Sequence, residues 1–216
     1  MVSEIAELRI RVGNKVVVGN LNLPSRAKGI VLFAHGSGSG RFSPRNQYVA
    51  GEFNKAGIAT LLFDLLTLEE EQEDIVTATY RFNIKLLADR LVGATNWLKN
   101  DMKIKKMSFG YFGASTGAAA ALIAAAKLQN EICAVVSRGG RPDLAGDYLS
   151  DVVAPTLLLV GGLDTEVIEL NRQAQSRMTN QNKLEIIPGA THLFAEPGKL
   201  EVVAQLSKDW FTRYLE

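Results

Sequence analysis

The chain has 216 residues, 47% of them hydrophobic and 22% charged, with 24 Lys and Arg against 23 Asp and Glu for a formal net charge of +1. That length and apolar content suit one globular domain with a sizeable core and exclude a disordered polymer. Balanced charge without basic blocks leaves no electrostatic footprint for nucleic acid or a membrane surface, and the single cysteine, Cys133, excludes an internal disulfide framework and a cysteine-based zinc site.

Met1 to Arg9 carries acidic residues and no apolar signal-peptide core, and no run approaches the roughly 20 apolar residues of a membrane span, so a cytoplasmic protein is expected. Ile5 to Val12 and Lys15 to Leu23 alternate imperfectly between apolar and polar residues around Gly13-Asn14, which predicts a β-hairpin closed by Pro24. Gly29 to Ala34 is a continuous apolar run of the kind buried on both faces, and it leads directly into His35-Gly36-Ser37-Gly38-Ser39-Gly40. Ser43 and Pro44 then read as the cap and first position of a helix that runs to about Lys55 and stops at Gly57. Ile58 to Phe63 is the next strand. The acidic stretch Thr67 to Asp74 reads as a solvated loop and helix start. Arg81 to Lys99 has helical spacing, with Phe82, Leu86, Leu87, Leu91, Ala94, Trp97 and Leu98 on one apolar face.

Met107 to Phe112 reads as a strand and Ala118 to Leu128 as an alanine- and leucine-rich helix, with Gly113-Ala114-Ser115-Thr116-Gly117 between them. Three further strands follow at Ile132 to Val136, Thr156 to Val160 and Lys183 to Ile187, and the last helix begins near Lys199. Cys133 lies in the first of these and is read as a core residue. A hairpin followed by repeated strand-helix units predicts an α/β fold with a mainly parallel eight-stranded sheet and helices on both faces. No linker or repeat divides the chain, so residues 1–216 are expected to form a single domain. The connection from Ser137 to Pro155 is too short for a cap domain, which predicts a site that is open or covered only by short loops.

A serine between glycines at a strand-to-helix turn has the pattern of a nucleophile elbow, where nearly side-chain-free neighbours let strand and helix approach closely. Alone the pattern is weak, and a serine that merely caps the helix would look similar. A nucleophilic serine needs a base, and the base needs an orienting acid. Of the two histidines, His192 lies just beyond the last strand, while His35 reads as ordering the glycine loop. Asp164 ends Gly161-Gly162-Leu163-Asp164 just past a strand's carboxyl end, where open α/β sheets gather their sites. Two competing assignments are that Asp164 caps the next helix and that Asp143 is the acid.

The chain order Ser115, Asp164, His192 resembles that of the α/β-hydrolase superfamily over essentially the whole length. Phe33-Ala34-His35-Gly36, Gly161-Gly162-Leu163-Asp164 and Thr191-His192-Leu193-Phe194 resemble the capless dienelactone hydrolase-like branch. Dienelactone hydrolases proper use a cysteine where this chain has Ser115, so that particular substrate does not carry over. The resemblance implies a serine hydrolase of a small ester, thioester or lactone, without metal or cofactor, with catalytic Ser115, His192 and Asp164. It also implies oxyanion-hole N–H donors at Thr116 and Ser37. Domains resembling this one can accompany a phosphoribosyltransferase-like domain in larger chains, and no such segment is read in this one.

Arg41 and Arg45 follow the glycine loop, and Arg138 and Arg141 flank Gly139-Gly140, so both pairs are candidate contacts for an anionic acyl substrate. Solvated loop positions or ion pairs with the acidic segment account for them equally well. A nucleotide-binding module, with Asp64 after the fourth strand, is the main rival. Gly36, Gly38 and Gly40 miss the G-x-G-x-x-G spacing, and no phosphate-loop lysine motif is present. The same three residues would also serve an acyltransferase, and a hydrolase fold can serve binding without catalysis.

Overall fold

The structure, a computed structural model, describes residues 3–215. Strands β1 (Ser3–Val12) and β2 (Lys15–Pro24) form the expected hairpin, with Val12 paired to Lys15 across Gly13-Asn14 and Gly13 at φ +60°. Six more strands complete one sheet: β3 (Gly29–Ala34), β4 (Ala59–Phe63), β5 (Ser108–Ala114), β6 (Ile132–Arg138), β7 (Thr156–Gly161) and β8 (Asn182–Ile187). Their spatial order is β1-β2-β4-β3-β5-β6-β7-β8, antiparallel in the first two pairings and parallel from β4 onward.

The period of two along buried strands distributes their side chains between two cores. Val31, Phe33, Phe112, Val136 and Leu159 face helices α1 (Pro44–Lys55) and α6 (Lys199–Tyr214). Ile30, Leu32, Tyr111, Val135 and Leu158 face α3 (Ile84–Leu98) and α4 (Thr116–Leu128). Helix α5 (Thr165–Arg177) packs beside a 3₁₀ segment, Pro142–Asp151. On the first face Phe33 and Phe112 lie 4.8 Å apart between ring centroids, and Phe53 meets Phe211 edge-on at 5.4 Å. Ser43 caps α1 and Pro44 occupies its first turn, while Gly57, at φ +81°, ends that unit.

Three local expectations change. The acidic stretch holds the expected helix start but no loop: it forms α2 (Leu68–Thr77), opened by a reciprocal capping box between Thr67 and Glu70, with Glu69, Glu71 and Glu73 exposed as expected. Two of its five acids turn inward instead: Glu70 binds Arg90 at 2.5 Å and Asp74 binds Arg81 at 2.6 Å, with both carboxylates buried. Phe82 leaves the expected apolar face of α3 because Asn83 caps that helix one residue later, and Phe82 is 59% exposed. Cys133 is only partly buried, at the margin of the α1–α6 core.

Backbone packs tightly on backbone at α4, whose first residue follows β5 directly after Ser115. A Cβ at Gly113 would lie 2.4 Å from the Ala118 Cα, and one at Gly117 would lie 2.2 Å from the Ala34 carbonyl oxygen and 2.5 Å from that of His35. Backbone cannot yield as a flexible side chain can. Gly117→Ala is therefore expected to cost about 3 kcal/mol, read as a lower urea midpoint at unchanged slope.

Candidate active site

Ser115 sits at φ +51°, ψ −122°, a strained conformation for a residue with a side chain, costing on the order of 1–3 kcal/mol. Long-range backbone bonds hold it there. Its N–H donates to the Arg138 carbonyl at 3.2 Å, and its carbonyl accepts from the N–H of Arg141 at 3.1 Å. The Ser115 side chain makes no capping bond to α4, so the reading of Ser115 as a helix cap does not hold.

Asp164 occupies the N-cap position of α5 but likewise makes no side-chain cap. Its Oδ2 instead lies 2.7 Å from Nδ1 of His192, so that nitrogen bears the proton shared with the carboxylate and Nε2 is left as the free end of the ring. Asp143 is engaged elsewhere, holding the Arg141 guanidinium through two bonds of 2.9 and 2.8 Å. The loop after β6 touches both ends of the constellation. A Cβ on Gly139 would be 2.9 Å from the His192 carbonyl oxygen and 3.6 Å from its ring Cε1, while Arg141, two residues on, binds Ser115. Gly161 packs against the backbone of Ala190 and Thr191, fixing the histidine loop on the end of β7.

The glycine loop closes on Ser115 from the other side, where a Cβ on Gly36 would be 3.0 Å from that of Ser115. The Ser37 N–H does not point into free space as an oxyanion donor would: it donates to the Thr116 hydroxyl oxygen at 3.0 Å. The bond pins the loop to the residue after Ser115. His35 orders this loop as expected, its Nε2 accepting from the Leu65 N–H at 3.1 Å and its Nδ1–H donating to the Gly36 carbonyl at 3.0 Å. Burial lowers the His35 pKa below its ordinary value, outweighing the Gly36 bond and the charges of Asp64 and Glu71.

The four candidate arginines separate. Arg41 is neutralised by Asp64, which also accepts its backbone N–H at 2.8 Å, and it reaches Glu7 at 3.4 Å. That occupation of Asp64 also removes the acid needed by a nucleotide-binding reading. Arg141 is neutralised by Asp143. Arg45 and Arg138 meet no carboxylate among the described residues.

Beside the glycine loop lies a cavity of about 270 Å³ whose walls include Gly36 to Ser39, Leu66, Ile75, Leu87 and Arg81. Glu71, Asp74 and Ile75 of α2 form one of its walls. Burial pushes the Asp74 carboxyl up, but the N–H groups of Arg81 and Tyr80 and the Arg81 guanidinium outweigh it and hold the pKa below the usual range. Sequence reading missed Leu66, Ile75, Leu87 and Arg81. The one available signal was an arginine seven residues after an acid at the end of a helix.

A serine held at positive φ where a parallel strand meets its helix, in a sheet of this order, is the construction of an α/β hydrolase. The chain belongs to the dienelactone hydrolase family, whose profile matches residues 16–216. It is 54% identical to a crystal structure of a dienelactone hydrolase from Anabaena variabilis, covering 99% of both chains with a TM-score of 0.98. Est1E from Butyrivibrio proteoclasticus shares the fold at 16% identity, 96% and 98% coverage of the two chains, and a TM-score of 0.79. Over 97% of its length the chain is also 54% identical to a Mycobacterium tuberculosis protein named "Putative phosphoribosyl transferase", of which it spans 46%. No described helix is long and apolar enough to cross a membrane.

The lowered pKa of His35 has a consequence for stability. The unfolded chain takes up a proton near pH 6.5 while the folded one resists it, so stability is full above pH 6.5 and falls as pH drops from there through the folded pKa. Denaturation midpoints between pH 7.5 and 5 are expected to fall more steeply in the parent than in His35→Gln, which cannot titrate.

Proposed function

We propose that the chain is a serine hydrolase that cleaves a small carboxylic ester, thioester or lactone through an acyl-enzyme. The observation that carries the reading is the 2.7 Å His192–Asp164 bond: an acid that could have capped a helix instead orients the histidine, which packs on the same loop after β6 that binds the strained, uncapped Ser115. Membership of a hydrolase family supports the reaction class.

In this mechanism Ser115 Oγ attacks the acyl carbon and gives its proton to His192 Nε2, while Asp164 supports the imidazolium. The tetrahedral oxyanion is received by the Thr116 N–H and, once substrate competes with the Thr116 hydroxyl for it, by the Ser37 N–H. Collapse expels the alcohol or thiol, which takes the proton from His192. Water then loses a proton to His192 and attacks the acyl carbon, and the departing Ser115 Oγ recovers that proton. The cavity walled by Leu66, Ile75 and Leu87 suits a small apolar acyl group. Each step uses side chains of this chain, so the mechanism calls on no metal or cofactor.

The name of the Mycobacterium relative describes a protein about twice as long, and transfer of a phosphoribosyl group is not carried to this segment. A soluble acceptor other than water would turn the same acyl-enzyme chemistry into acyl transfer.

A fluorophosphonate probe followed by peptide mapping tests the assignment. Labelling is expected at Ser115, to vanish in Ser115→Ala, and to slow by about 10²–10⁴ in His192→Ala and Asp164→Asn. Equal labelling in parent and Asp164→Asn would remove the orienting role of the 2.7 Å bond. The loop contact makes a further prediction. Thr116→Val should lower esterase activity on p-nitrophenyl acetate by about tenfold, because the Ser37 loop loses its anchor, while Thr116→Ser should retain it.

A further inference from the structure

Arg138, the last residue of β6, is 6% exposed, and its Nε and Nη1 are buried without a hydrogen-bond partner among the described residues. It continues the side-chain row of Ala134 and Val136, which faces α1 and α6. The helix on that side, α1, carries another arginine in its first turn, Arg45, whose own Nε is buried and unpartnered and whose charge is felt at Arg138. No acidic side chain within 4 Å balances either charge among the described residues, in contrast to Arg41 and Arg141.

Such an arrangement is costly. An isolated guanidinium loses hydration on burial, and a second cation nearby adds repulsion. Burial, reinforced by the Arg45 charge, pulls Arg138 down to about 10. The cost falls away when an anion enters. The position is also informative, since the Arg138 carbonyl is the acceptor that holds the Ser115 N–H, so the residue that carries the unbalanced charge is bonded through its backbone to the elbow. The N-terminus of the 12-residue helix α1 adds positive potential on the same side.

We propose that Arg138 and Arg45 form an anion subsite beside Ser115 that receives a phosphomonoester group carried on the substrate. Two unbalanced cations match the −1.5 to −2 charge of such a group near neutral pH better than the single charge of a carboxylate, and guanidinium forks suit its oxygens. As a specification of the substrate of Ser115 the proposal rests on the hydrolase reading; the anion site itself does not.

Inorganic phosphate is the probe. At about 20 mM and pH 7.5 it is expected to raise the melting temperature of the parent by at least about 3 °C over sodium chloride of equal ionic strength, and acetate is not. In Arg138→Met the ligand-free protein should melt higher than the parent, because an unpaired buried charge is gone, and the phosphate increment should disappear. Arg45→Met, altered at a half-buried residue, should lose most of that increment even if the Arg138 variant fails to fold. Phosphate should also slow fluorophosphonate labelling of Ser115 in the parent about tenfold, with no slowing in Arg45→Met.

Three results would overturn the proposal: no increment beyond salt, an increment that survives both substitutions, or an equal increment from acetate, which would assign the site to carboxylates. Stabilisation by phosphate in a protein that the fluorophosphonate never labels would count against the serine hydrolase instead. Labelling without stabilisation would count against the subsite alone.

Discussion

The turn between β5 and α4 works only because backbone can approach backbone there to within contact distance. Gly113 lies against Ala118, Gly117 lies against the carbonyls of Ala34 and His35, and Gly36 lies against Ser115. Three segments far apart in the chain, the end of β3, the turn itself and the loop after β6, therefore meet around one serine. The strain at Ser115 persists because its N–H and carbonyl are bound by Arg138 and Arg141, so the neighbouring strand dictates the conformation that the local sequence would not choose. A reactive role for Ser115 accounts for this convergence more simply than a structural one, since the serine side chain caps nothing.

Electrostatics at the carboxyl edge of the sheet follow from competition among neighbours. Asp64 and Asp143 each satisfy the arginine closest to them, Glu70 and Asp74 satisfy arginines on or beside α3, and Asp164 is left for His192. Acidic and basic residues are nearly equal in number, yet the pairing is uneven: Arg45 and Arg138 hold buried, unpartnered guanidinium nitrogens with no carboxylate within 4 Å among the described residues. His35 contributes in a neutral form, since only a neutral ring can accept from Leu65 while donating to Gly36. Its burial thus serves the geometry of the loop that carries Ser37.

Much of this was legible locally. Continuous apolar runs marked β3 and β7, Ser43-Pro44 marked the start of α1, and Gly13-Asn14 marked the hairpin, because each depends on residues close in sequence. The acidic run misled for the same reason. Read alone, Glu69 to Asp74 looks solvated, but two of its members turn inward toward Arg90 and Arg81, the first of them 20 residues away. Phe82 misled because periodicity does not register a cap, and Asn83 starts α3 after it.

The amino-acid sequence by itself determined the α/β architecture, the elbow around Ser115, and the chain order of serine, aspartate and histidine. These follow from residue spacing, glycine placement and strand ends, which are properties of contiguous segments. Only the tertiary structure decided which partner each polar group would find: that Asp164 turns to His192 while Asp143 turns to Arg141, that the Ser37 N–H meets Thr116, and that α2 walls the cavity. It also decided which two of four arginines keep an unbalanced charge. Hydrogen bonds and ion pairs act over a few ångströms, and distances of that size between remote residues exist only once the sheet has brought its strand ends together.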